Sequence, residues 1–111
     1  MSELSPEDLT LITLARGAQG RVGASSGAAV RDDTGRSYAS AAVHLESISV
    51  TAIQAVVVAA VAAGARGLEA LVLVGDEDLR PGLAAAFDLG GTGVPVVLCT
   101  LDGNVTSTTS T

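Results

Sequence analysis

The feature that most constrains this chain is residues 50–63, an apolar run with no charge and a single amide, Gln54, closed by Gly64. It is too long for an ordinary strand. A surface helix shows one apolar stripe and one polar face, whereas a helix that is apolar all round must be covered on every side. In a domain of 111 residues, the expected cover is a sheet on one side and a second chain on the other. Alanine favours the helix and lets backbones approach closely; valine adds bulk at a cost in propensity that burial overrides. The run falls short of the roughly 18 to 20 apolar residues of a bilayer span, so a membrane helix is not expected.

Composition narrows the function classes. A hydrophobic content of 48% is incompatible with global disorder. Tyr38 and Phe87 are the only aromatic residues, which leaves little for stacking on bases. The net charge of −6, with arginine as the only strongly basic residue type, argues against nucleic acid as a partner. Cys99 is the single cysteine, so no intrachain disulfide forms. The first eight residues are acidic and lack the basic and apolar regions of a signal peptide, and a cytoplasmic location is expected.

Ser5-Pro6-Glu7-Asp8 reads as a helix start, with Ser5 as cap, Pro6 in the first turn and two carboxylates at the positive end of the dipole. That helix runs to about Gly20, with Leu9, Ile12, Ala15 and Ala18 as its apolar face. A strand over 27–31, a turn at 32–35 and a second arm over 37–43 form a hairpin. Residues 44–49 lead into the buried helix, with Ser47 or Ser49 as its cap. The continuous apolar run at 68–76 is what a central strand covered on both faces requires. A short helix over 82–87 and a strand over 94–99 follow, giving a parallel strand–helix–strand crossover. A single domain over 1–105 is expected, followed by a flexible Ser/Thr tail, 106–111. The expected class is a three-layer α/β/α fold around a mixed, roughly five-stranded sheet.

In order and spacing, Gly27-Ala28-Ala29-Val30 with its hairpin, the exit at Ala42-Val43, Gly67-Leu68-Glu69-Ala70-Leu71, and Val94-Pro95-Val96-Val97-Leu98 with Leu101-Asp102-Gly103 resemble the small cytidine deaminases, including the blasticidin-S deaminase branch. The resemblance spans about 9–103. It implies a five-stranded sheet between helices, a homotetramer, and an active site at the N-termini of the buried helix and the next one. It also implies a zinc ion, held by one His or Cys and two further Cys, which activates water while a Glu two residues after the first ligand shuttles protons.

Those residues are missing. On the matching motif Thr51 replaces the first ligand and Ile53 the proton shuttle, and neither side chain performs that chemistry. The Pro-Cys-x-x-Cys motif matches best at 81–85, where Pro81 is kept and Gly82 and Ala85 stand where cysteines belong. The sugar-contacting positions fall on Ala42 and His44. Nearby Glu46 either replaces a lost sugar contact or favours the start of the buried helix. With one His and one Cys in the chain, a three-ligand His/Cys site cannot be built within it, and no metal or other cofactor is expected. The expected function is therefore a non-catalytic homologue that associates with itself, as a dimer or tetramer through helix 50–63, or with a partner protein. Two alternatives stay open: an active nucleoside deaminase with a different metal site, and a binder of an uncharged, nucleoside-like molecule in a vestigial pocket. That pocket comprises Ala42, His44, Glu46, Thr51, Ile53, Pro81, Gly82 and Ala85.

Overall fold

The computed structural model describes residues 4–111; residues 1–3 of the acidic start lie outside the described residues. In chain order the elements are α1 (Pro6–Val22), β1 (Ser26–Asp32), β2 (Ser37–Ala41), β3 (Val43–His44), β4 (Ser49–Val50), α2 (Ala52–Ala62), β5 (Leu68–Gly75), α3 (Leu79–Gly90), β6 (Pro95–Cys99) and β7 (Val105–Ser110). The five-stranded sheet has the order β2-β1-β5-β6-β7, and β3 pairs with β4 in a separate ribbon. β5 and β6 are parallel, joined through α3, and the other pairings are antiparallel. The expected α/β class with a mixed sheet is what the chain adopts.

The period of two along a strand explains why the central strands are apolar throughout. From β1 and β5, Ala28, Val30, Leu71 and Leu73 join Ile53, Val56 and Val57 of α2 in one core. Their neighbours Ala29, Val72 and Val74 join Leu11, Ile12 and Ala15 of α1 in a second core on the opposite face. α1 seats closely because β1 carries a glycine there: a Cβ on Gly27 would lie 2.3 Å from the Ala15 carbonyl oxygen. On α1, Leu11 is buried and Leu9 is 54% exposed, so the inward face is rotated from the one expected at Leu9.

Within one chain the sheet covers one flank of α2 and α3 another, which leaves Val58 63% and Val61 52% exposed on a third, the side for which a second chain is expected. Two expectations about the elements are corrected. α3 starts at Leu79 instead of 82, because Pro81 falls in its first turn, where a missing N–H costs nothing. Residues 106–111 are not a free tail; most of them build β7, which pairs antiparallel with β6 from Val105 to Ser110. Its side chains are exposed and supply no apolar signal; the pairing satisfies main-chain groups along the outer edge of β6.

The β1–β2 turn is anchored by a buried charge. The Asp32 carboxylate accepts from the Thr34 N–H and hydroxyl, the Arg36 N–H and the Tyr38 hydroxyl, at 2.8 to 2.9 Å. Asp32 is thus a structural turn residue whose acceptor sites are filled.

Candidate functional site

The candidate site is the junction where α2 and α3 begin. The first N–H groups of an α-helix have no carbonyl partner within the helix. On α2, Thr51 is the cap in place of Ser47 or Ser49, and its hydroxyl accepts from the Gln54 N–H at 3.1 Å. Gln54 returns the bond, its Oε1 accepting from the Thr51 N–H at 2.9 Å, which completes a reciprocal capping box. The Ala52 and Ile53 N–H groups donate to a residue far along the chain, Glu77: to Oε1 at 2.8 Å and to Oε2 at 3.3 Å. Glu77 Oε1 also accepts from the hydroxyl of Ser26, a fully buried residue, at 2.6 Å.

Electrostatics explains the preference. The first turn of α2 contains no acidic residue of its own, and a carboxylate at the positive end of the helix dipole is stabilising. Glu77 fills this role from the connection between β5 and α3; Glu46, weighed for it above, is exposed at the tip of the β3–β4 ribbon. α3 is capped by Asp78, whose carboxylate accepts from the Arg80 N–H at 3.0 Å. Hydrogen bonds from the Arg80 side chain and backbone hold the Asp78 carboxyl down at about 2.

The residues expected in one pocket are only partly brought together. Ile53 is fully buried and lies against the backbone of α3 at Gly82, where an added Cβ would come 2.6 Å from Ile53 Cβ. Thr51 sits next to this contact and Pro81 is in the adjoining turn of α3. His44 is exposed on the ribbon, its Nδ1 2.7 Å from the Ser49 hydroxyl. Ala42 and Ala85 line different clefts. Ala42 borders a cleft of about 370 Å³ with Ala18, Arg21 and Val22 of α1. Ala85 borders one of about 350 Å³ between α2 and α3, with Val57, Val61, Asp88 and Leu89.

Zinc does not fit this junction. The Thr51 hydroxyl is engaged in its cap, Ile53 offers hydrocarbon, and both Glu77 oxygens accept hydrogen bonds from N–H groups of α2. Among the described residues no group of three His, Cys, Asp or Glu is placed to hold a metal ion. Cys99 is buried at the end of β6, and burial pushes its thiol up, away from the reactive thiolate. Among the described residues, no helix is long and apolar enough to cross a membrane.

Glu77 is the site residue that the sequence reading passed over. Its signal is weak but physical: an acidic triplet, 76–78, at the carboxyl end of a central strand and just before a helix. The crevice beyond strand ends is where α/β sheets gather their functional groups. The Thr51-x-x-Gln54 pattern also announced the true start of α2.

Comparison with known proteins agrees with this architecture. The model of the cytidine deaminase-like family matches residues 4–103. Among solved structures, cytidine deaminase from Burkholderia pseudomallei superposes with a TM-score of 0.81 at 22% identity, over 96% of this chain and 93% of that one. Cytidine deaminase from Mycobacterium leprae gives 0.73 at 16% identity, over 96% and 94%. The enzyme from Mycobacterium tuberculosis gives 0.68 at 25% identity, over 78% and 80%. A search of curated proteins finds no match.

Proposed function

This chain belongs to the cytidine deaminase-like family, and from that premise we propose that it is a non-catalytic member that works by association, with copies of itself or with a partner protein. The observation that carries the reading is the state of the two positions on which the chemistry would depend. Thr51 and Ile53 are both committed to holding α2 in place, one as its cap and the other as packing against Gly82. Deamination by water needs a group that makes hydroxide at neutral pH and a group that carries protons. Neither position offers one.

Association is supported by the open flank of α2. Val58 and Val61 are more than half exposed, and Phe87 on α3 is 50% exposed. A second copy or a partner covering this flank would remove that hydrocarbon from water at roughly 25 cal/mol per Å². The negative net charge supports a protein partner over nucleic acid. A lone free cysteine supports a reducing, cytoplasmic setting.

The test is ammonia release from cytidine by purified protein. No turnover above a heat-killed control is expected, and chelator-sensitive turnover would overturn the reading. Sedimentation at micromolar concentration is expected to show an assembly larger than one chain; for the self-associating form, monomers alone would refute it.

A further inference from the structure

The start of α2 is closed from within the chain. Its free N–H groups belong to Ala52, Ile53 and Gln54, and each has a protein acceptor: Glu77 for the first two and Thr51 for the third. Because Ser26 opens β1 and Glu77 lies between β5 and α3, a single carboxylate joins β1, α2 and the β5–α3 connection. Both its oxygens are used. Hydrogen bonds to an ionised acceptor are about twice as strong as neutral ones, and here two of them act at a helix N-terminus.

We propose that Glu77 is a positioning residue that holds the starts of α2 and α3 together without a metal, its carboxylate taking the N–H groups of Ala52 and Ile53 while Ile53 closes the gap onto Gly82. A zinc ion bound by both helix starts would cross-link them; in this chain the cross-link is a hydrogen-bonded carboxylate. The arrangement leaves no free first-turn N–H on α2 to receive an anion or hydroxide. The inference shares with the proposed function the poor fit to zinc, but it concerns order and stability, and its test reads no activity.

The experiment compares ¹⁵N-labelled wild-type protein with Glu77→Gln and Glu77→Ala. It measures amide hydrogen exchange at Ala52 and Ile53 and the thermal midpoint with EDTA or with added zinc. Exchange at both amides is expected to rise tenfold or more in Glu77→Ala and less in Glu77→Gln, which keeps one acceptor oxygen. The midpoint should fall by several degrees in the same order, and the wild-type midpoint should respond to neither EDTA nor zinc. A role confined to general packing would leave the two amides unmoved. If Glu77→Ala does not fold, Glu77→Gln decides, read by exchange at the same two amides against the other amides of α2. Unchanged exchange at Ala52 and Ile53 in the variants that fold, or a zinc-dependent rise of the wild-type midpoint, overturns the proposal. Cytidine turnover alongside the expected amide behaviour would remove the non-catalytic reading and leave Glu77 in this role.

Discussion

Gly82→Ala tests the contact that fills the junction. The added Cβ would stand 2.6 Å from Ile53 Cβ, 3.0 Å from Cγ2 and 3.2 Å from Cδ1. Carbon atoms rest at about 3.5 to 4.0 Å, so the first contact is short by about 1 Å. Ile53 Cβ is fixed to the α2 backbone and cannot swing aside, so the two helices must part. Overpacking of this kind costs about 1–3 kcal/mol, against which Gly→Ala in a helix returns about 0.5–1 kcal/mol. A contact this short against a fixed atom belongs in the upper part of that range, about 2–3 kcal/mol, so the net cost is about 1–2.5 kcal/mol, a fall of roughly 5–12 °C in the thermal midpoint of a domain this size. Gly20→Ala is the control, since Gly20 lies in α1 with nothing within 4 Å of its added Cβ. That variant should gain about 0.5–1 kcal/mol and melt a few degrees higher. Circular-dichroism melts at equal protein concentration read both, because association would otherwise move the midpoint. A Gly82→Ala protein as stable as wild type would refute the tight α2–α3 junction.

Burial alone would raise the Asp32 carboxyl, but hydrogen bonds from Thr34, Tyr38 and Arg36 outweigh it and hold it far below the usual carboxylate range. A depressed folded-state pKa stabilises fully above the unfolded value of about 4 and is lost as pH falls from there toward the folded value. The wild-type midpoint should therefore drop steeply below pH 4, and Asp32→Asn should flatten that slope; parallel slopes would contradict this. If the open flank of α2 is the association surface, Val58→Glu with Val61→Glu should reduce the sedimenting mass and leave far-UV circular dichroism unchanged; an unaltered mass would exclude that surface. Cys99, 4% exposed and with its thiol pushed up by burial, should react slowly with a disulfide reagent at pH 8 and fast once unfolded in urea. Rapid labelling of the native protein would place the end of β6 in solvent.

What was legible in the sequence followed from local rules. Ser5-Pro6 marks the first helix because capping is decided within one turn, and the apolar run of β5 marks a central strand because burial on both faces removes the alternation. β7 was illegible because it rests on main-chain pairing with β6 and buries none of its side chains. Which residues of α2 face away from the sheet was illegible because Val58 and Val61 are as apolar as Val56 and Val57; only the positions of the sheet and α3 tell them apart. At the site, the replaced positions Thr51 and Ile53 stood in the motif and were read from it. Glu77 did not, because its partners Ser26 and Ala52 are 51 and 25 residues away and meet it only once β1, α2 and β5 are assembled.

The most direct test of a metal-free junction is zinc content per chain, measured by elemental analysis on untagged protein purified with neither added metal nor chelator. A hydrogen-bonded Glu77 with Ile53 packed on Gly82 predicts far less than one zinc per chain. Close to one zinc per chain would contradict it and return the junction to the catalytic members of the family.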